Sequence, residues 1–255
     1  MNKILRRRMR IILIIIILAS FLAAIYHFYT RIFQKKRGAA ILKYSVEPIQ
    51  GFSFPDSGSL KAWEEKIFKG KVAYDIEKDG DLAYVKAKSD KAASALYYRI
   101  SVDAKKRYPV ITWKWRAKEF PTKKFEESLN KENEDDFAAR FYVIFPAMFI
   151  TNYKVLEYVW AEKLSPDTIG TSPYSKNIKL MVLRTGVDKN NEWFTEERDI
   201  VSDYTRMFGT PPEANIGAIA FMTNAEHTLS SAEALYDEIV VGYKKELDKT
   251  GGQKP

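Results

Sequence analysis

Two short polar clusters could do chemistry in a sequence otherwise rich in apolar strand patterns. In EDDFAARFYVIF, residues 134–145, Asp136 and Arg140 share one strand face because side chains alternate between two faces. A second cluster, 226–228, follows an almost wholly apolar segment, where a loop is free to present ligands. We predict a ligand site where these clusters approach the region of Trp160. The predicted ligand-binding residues are Asp136, Arg140, Trp160, Glu226, His227 and Thr228.

Neighbouring charges in the sheet offer a structural alternative for the first cluster. Asp136 and Arg140 lie four residues apart, about 13 Å along a strand, so each is expected to have other partners. A buried charge persists only when it is paired. Both side chains would then serve the fold and not a ligand.

Paired carboxylates point to a second possible function, hydrolysis of a glycan. A glycosidase places two carboxylates about 5 to 10 Å apart across one cleft. Asp136 and Glu226 would supply this pair if the ends of their strands are neighbours. A Ser-His-Asp triad is not predicted, because His227 is the only histidine besides His27 and no nucleophile-elbow sequence marks a serine. No residue is assigned a catalytic role.

Oxygen-bearing side chains suggest a hard cation such as calcium, which takes six to eight oxygen ligands. The candidate metal ligands are Asp136, Asn224, Glu226 and Asp237. Asp237 is expected at the start of the last strand, and no loop has EF-hand spacing. The alternative is that these side chains cap turns and accept backbone N–H groups. No other cofactor is predicted.

Aromatic side chains are the other indication of ligand binding, since flat exposed rings suit the C–H faces of sugars. Trp113 and Trp115 point the same way on one strand and are predicted to be buried, the usual fate of such pairs. Trp160 and Trp193 lie next to polar loops and are expected to be partly exposed.

Strand signals dominate the elements that must position these residues. A helix is expected at 60–68, and a second at 202–208 with a cap at Ser202 or Asp203 and a stop at Gly209. About ten strands with loops of unequal length predict an all-β, jelly-roll β-sandwich with short helical insertions. The predicted strands are 71–77, 82–88, 96–102, 110–117, 135–145, 155–161, 178–184, 193–201, 216–223 and 236–243.

The N-terminus predicts a membrane anchor ahead of the sandwich. A basic stretch, 1–10, precedes the apolar run 11–29, which as a helix of roughly 27 Å would cross a bilayer. The denser basic cluster lies before the span, so residues beyond it are expected outside the cytoplasm. Poor cleavage sites favour an uncleaved anchor over a signal peptide. The predicted organisation continues with a linker at 30–43, the sandwich at 44–243 and a flexible tail at 244–255.

Charge and cysteine content exclude several classes of protein. The chain has a formal net charge of +8, but residues 1–37 hold nine basic and no acidic residues, which leaves −1 for residues 38–255. A nucleic-acid partner is not expected, because the exported part has no basic stripe of its own. The chain has no cysteine, so thiol catalysis and Cys-ligated metal sites are excluded.

Five segments in fixed order resemble a bacterial exported family catalogued as domain of unknown function number 3047. The segments are WKWR at 113–116, EDDFAARFYVIF at 134–145, LEYVWA at 156–161, EWFTEERDIVSDYTRMFG at 192–209 and IGAIAFMTNAEHT at 216–228. The resemblance implies a jelly roll similar to galactose- and carbohydrate-binding modules, and it implies no settled activity. Where the family tends to show Asp-x-Asp-x-Thr, this chain has Asn224 in the first position, which weakens a carried-over site.

These observations predict a binding or interaction module tethered to the bacterial cytoplasmic membrane, with its domain in the periplasmic space. Carbohydrate is the expected ligand class, through the resemblance, and a glycan or an envelope protein is the expected partner. An envelope hydrolase that acts through paired carboxylates is the alternative function.

Overall fold

A computed structural model describes residues 44–147, 152–186 and 192–246. The strands in these ranges are β1 Tyr44–Phe52, β2 Glu64–Lys69, β3 Ala73–Asp79, β4 Leu82–Asp90, β5 Ala93–Val102, β6 Pro109–Glu119, β7 Ala139–Phe145, β8 Lys154–Ala161, β9 Ile169–Ser172, β10 Ser175–Thr185, β11 Phe194–Asp199, β12 Ile216–Asn224 and β13 Ser231–Glu246. The helices are α1 Ile200–Phe208 and two 3-10 turns, Ser57–Ala62 and Glu132–Glu134.

The strands form two sheets, which confirms the predicted jelly-roll β-sandwich. One sheet has six strands in the order β11-β6-β13-β4-β3, with β1 also paired to β13. The other has seven, in the order β2-β5-β12-β7-β8-β10-β9. Within the seven-stranded sheet β8 and β10 pair in parallel, whereas β7 pairs antiparallel with both β12 and β8. The strand that carries Arg140 is therefore central in its sheet.

Aromatic side chains fill the space between the sheets. Trp113 of β6 stacks on Phe141 of β7 with ring centroids 4.3 Å apart and planes at 7°. Trp115 contacts Trp113 edge to face, and none of these three side chains is exposed. The predicted burial of both tryptophans and of one apolar face of β7 is confirmed, because alternation along each strand directs these side chains inward.

Several local predictions were wrong. The helix expected at 60–68 is wrong for residues 64–68, which belong to the edge strand β2, because pairing with β5 outweighs local helix propensity. Helix α1 begins earlier than expected, since Asp199 caps it by accepting the N–H of Ser202 at 3.0 Å. Its predicted end at Gly209 is confirmed, and φ of 82° there is the left-handed conformation that glycine favours.

Both sheets lie almost entirely within one compact unit, residues 46–245. This unit contains both hydrophobic cores and so has what a domain needs to fold alone. No helix among the described residues is long and apolar enough to cross a membrane. The anchor predicted at 11–29 lies outside the described residues.

Candidate functional site

A groove of about 860 Å³ runs along the outer face of the seven-stranded sheet. Its floor is formed by alanines on adjacent strands, where larger residues would fill the space. Ala220 of β12 lies between Tyr97 of β5 and Tyr142 of β7 in the strand register. Tyr153, Tyr174 and Phe68 add further aromatic rings to the lining. The volume is within the range of small-molecule sites.

A buried charged cluster lies in the groove around Arg140, which is only 3% exposed. Its guanidinium group is 3.0 Å from a carboxylate oxygen of Asp135 and 2.7 Å from Oε1 of Glu157. It also donates to the hydroxyl of Tyr142 at 3.3 Å. Its Nε is buried and has no hydrogen-bond partner among the described residues. The cluster thus retains one donor that the fold leaves unused.

Burial perturbs the carboxyl group of Glu157. Loss of water raises its pKa to about 7, and Asp135 nearby acts in the same direction. The positive charge of Arg140 offsets part of this increase. Glu157 therefore changes its charge near neutral pH while it lines the groove.

Asp136 has a different environment, in spite of its neighbouring position in the sequence. Its side chain is fully buried and accepts three hydrogen bonds. The donors are Nδ2 of Asn224 at 2.8 Å and the backbone N–H groups of His227 at 3.1 Å and Thr228 at 2.7 Å. Asp136 does not line the groove. Its carboxylate holds the connection after β12 in place, as the structural alternative expected.

Glu226 and His227 form one end of the groove together with Tyr174. Nε2 of His227 lies 2.6 Å from the hydroxyl of Tyr174 and 3.2 Å from Oε1 of Glu226. Burial and the adjacent charge of Asp136 raise the pKa of Glu226 to about 7. Tyr174 lies in the turn between β9 and β10, and its contact with His227 joins this turn to the connection after β12.

The segment 120–138 delivers Asp135 and Asp136 to these two environments. It is anchored by a buried ion pair, Lys123 to Glu127, at 2.9 Å. The same Glu127 carboxylate accepts the backbone N–H groups of residues 162–164 at distances from 2.7 to 3.1 Å. This ion pair is shielded from solvent, and its carboxylate accepts three further N–H groups. It therefore fixes the segment 120–138 against the end of β8.

Three of the four predicted metal ligands, Asp136, Asn224 and Glu226, lie together, and the fourth does not. Asp237 lies within β13 of the other sheet and not at the start of that strand. Asn224 does not present its amide oxygen to the two carboxylates. That oxygen accepts the N–H of Phe137, whereas Nδ2 of Asn224 donates to both Asp136 and Glu226. Ligand atoms of Asp136, Glu226 and His227 lie within 4.8 Å of one another. Two carboxylates and an imidazole are a poor fit to calcium, which takes six to eight oxygens.

The structure also places Trp160 differently from the expected position. It is 2% exposed, packs against Trp115 and Phe194, and donates from Nε1 to the carbonyl of Gly186 at 2.9 Å. The even-numbered residues of β8, Trp160 among them, point into the core, so the ring of Trp160 is unavailable to a ligand. Trp193 is half-buried, as expected. Thr228 is buried with its hydroxyl 2.7 Å from that of Ser230.

Three of the ligand-binding residues predicted from the sequence, Arg140, Glu226 and His227, line the groove. Most of the other lining residues were not predicted. Asp135, Glu157 and the four tyrosines were not predicted. One signal was present: Glu157 is an acidic residue inside the apolar run LEYVW, which is unusual unless its charge is paired or used. The alternating alanines of β5 and β12 were a second signal, because small residues on adjacent strands leave a depression.

Comparisons with known proteins add a family and a set of distant structural similarities. No curated protein matches the chain. Among solved structures, the enzymatically active domain of tailspike protein 4 from bacteriophage CBA120 matches with a TM-score of 0.39 and 8% identity over 72% of this chain and 20% of that one. TmCBM61, solved with β-1,4-galactotriose, matches with a TM-score of 0.37 and 10% identity over 76% and 99%. The mannan-recognising module TmCBM27 matches with a TM-score of 0.36 and 6% identity over 78% and 98%.

The sequence also matches a family profile across most of the compact unit. The matched residues are 61–240, well over half of the chain. They include β2 to β12 and most of β13, and thus every residue of the groove. The chain therefore belongs to the family described as protein of unknown function DUF3047.

Proposed function

We propose that this protein is a carbohydrate-binding module of the bacterial cell envelope, and that the groove on the seven-stranded sheet is its binding site. The observation that carries the proposal is the combination of tyrosine rings and a buried donor–acceptor cluster on one concave surface. Saccharides need both features, since their C–H faces pack on aromatic rings and their hydroxyl groups form paired hydrogen bonds.

The hydrogen-bonding groups in the groove suit a sugar hydroxyl. Arg140 lines the groove with a donor group, while Asp135 and Glu157 line it with carboxylate oxygens. Each hydroxyl group both donates and accepts, so a mixed cluster binds it better than a cluster of one charge. Hydrogen bonds to charged groups are also about twice as strong as neutral ones.

The proposed location is the outer side of the bacterial cytoplasmic membrane. The apolar run at 11–29, with its basic flank, would tether the module through one span. A tether concentrates a weak binder near its ligand, and this raises the effective affinity without new contacts. An envelope glycan or a glycan-bearing protein is the proposed partner.

A glycan array probed with residues 38–255 tests the proposal. Ala220→Trp provides the matched variant, because a large ring between Tyr97 and Tyr142 would fill the groove floor. We expect glycan binding by the native sequence and none by the variant, with equal signals in calcium and in chelator. Binding that survives Ala220→Trp would place the ligand elsewhere, and an array without signal would refute carbohydrate binding.

Glycan hydrolysis is the second candidate, and raised pKa values at two groove carboxyls favour it. Glu157 and Glu226 each reach about 7, which suits a general acid near neutral pH. The pair expected from sequence, Asp136 with Glu226, does not support catalysis, because both Asp136 oxygens hold backbone or amide N–H groups. New reducing ends from a bound glycan, lost in both Glu157→Gln and Glu226→Gln, would establish the enzyme.

A further inference from the structure

The groove changes from polar to apolar along its length. On β7 the side chains that face the groove are, in order, Arg140, Tyr142 and Ile144, with Pro146 just beyond the strand. The distance from the first to the last is about 20 Å at ~3.3 Å per residue. One strand therefore leads from a buried charged cluster to apolar side chains.

The strands on either side of β7 are also apolar at this end, and Arg99 of β5 lies beyond them, opposite Ala218. Ala218 of β12 and Val155 of β8 lie opposite Ile144, so the apolar end is three strands wide. At the next groove-facing position Glu157 lies opposite Tyr142, and beyond it the loops contribute Glu226 and His227. Tyr153 and Ile178 also line the groove. Ile144 and Ile178 are half-exposed, and a purely polar saccharide would not cover their hydrocarbon side chains.

Basic and acidic side chains line the groove in equal number. Four basic and four acidic side chains contribute: Lys66, Lys69, Arg99, Arg140, Glu132, Asp135, Glu157 and Glu226. Arg140, the only deeply buried cation among them, is already flanked by two carboxylates. An anionic head group would meet Asp135 and Glu157 without a free cation in the cluster, and this disfavours phospholipid and fatty-acid heads. The complementary head is uncharged and rich in hydroxyl groups.

We infer that the groove takes an amphipathic glycoside, a neutral sugar joined to a hydrocarbon chain, with the sugar at the Arg140 cluster and the chain along Ile144, Ala218 and Pro146. This inference rests on the proposed function and adds the second half of the ligand. The volume of about 860 Å³ suits a molecule of this size and not a protein surface. Apolar burial supplies affinity, while the charged cluster sets orientation and selects the head.

Methyl and hexyl glucosides and galactosides, titrated below micelle-forming concentrations into residues 38–255, test the inference by calorimetry. Each methylene buried against the apolar end is expected to tighten binding about fourfold. The readout is the ratio of hexyl to methyl affinity. Ile144→Lys should reduce this ratio to near one, because it places a charge where the chain would lie. Ile67→Lys, the same change at an exposed position of the sheet outside the groove, should preserve it.

The outcomes separate this inference from the proposed function. Equal affinity for both chain lengths, with oligosaccharide binding retained, would overturn the amphipathic ligand and leave carbohydrate binding in place. A chain-length dependence that persists in Ile144→Lys would show adsorption elsewhere and would also overturn it. An absence of binding to any glycoside or oligosaccharide would overturn both.

Discussion

Two adjacent aspartates, Asp135 and Asp136, belong to charged clusters of different kinds. The Asp136 cluster is closed: its carboxylate is fully buried, accepts three N–H groups and lies outside the groove. The Asp135 cluster is open: it holds Arg140 with Glu157, lines the groove and leaves Nε of Arg140 without a partner. A fully satisfied polar cluster stabilises a fold, whereas a cluster that lines a groove and keeps an unpaired donor is the better candidate for ligand binding.

Removing the closed cluster should have the largest effect on stability. Asp136→Ala leaves the backbone N–H groups of His227 and Thr228 without an acceptor and removes one of the acceptors of Asn224, at a cost of about 3 kcal/mol or more. For a domain of this size the melting temperature should fall by about 6 to 12 °C. Thermal melts of residues 38–255 measure this. Glu132→Ala, an exposed acid of the same segment, is the control and should leave the melt unchanged. An unchanged melting temperature for Asp136→Ala would contradict the claim that the Asp136 cluster stabilises the fold.

The open cluster should respond in the opposite way. Glu157→Gln keeps the shape and one acceptor but removes the charge, so ligand affinity should fall about tenfold or more while the melting temperature changes little. Glu196→Gln breaks a comparable ion pair with Arg184, 2.6 Å apart, that does not line the groove. This control should preserve affinity. Equal affinity for native protein and Glu157→Gln would show that the cluster serves the fold alone.

The pH dependence of stability should show the burial of Glu226. Its pKa rises from 4.5 to about 7 on folding, so the folded state favours the protonated carboxyl. This contribution is fully present below about pH 4.5 and is lost as pH rises through 7. Melting temperatures of native protein should therefore decline by several degrees between these values. Glu226→Gln should flatten part of that decline, and Glu157 and Asp237, whose pKa values are raised in the same direction, should contribute to the rest. Parallel profiles for the two proteins would contradict the assignment.

The smallest effect is expected at the contact between Tyr174 and His227. Tyr174→Phe removes the 2.6 Å contact with His227 but keeps the ring, at a cost of about 1 kcal/mol or less at this exposed position. Glycan affinity should be retained in Tyr174→Phe and lowered in Tyr174→Ala, since the ring and not the hydroxyl would contact the sugar. Loss of affinity in both variants would instead assign the hydroxyl to the ligand.

The sequence predicts the sandwich well because alternation and turn signals are local properties. The strand pattern around Phe141 and the hairpin at 73–90 follow from the residues themselves. Edge strand β2 escaped prediction because only its pairing with β5 makes it a strand. The clusters escaped for a related reason, since partners such as Glu157 and Arg140 meet only after β7 and β8 pair. Trp160 was misassigned because a polar loop nearby in sequence does not reveal which face of a strand a ring occupies.

Mapping a bound glycan by NMR tests the central claim, that the open cluster and its groove form the binding site. Titration of isotope-labelled residues 38–255 with the glycan that gives the strongest array signal should shift resonances of Tyr97, Arg140, Tyr142 and Tyr174. The core tryptophans Trp113 and Trp115 should be unaffected. Shifts confined to the six-stranded sheet, or to the loop held by Asp136 without Arg140 and Tyr142, would contradict the account.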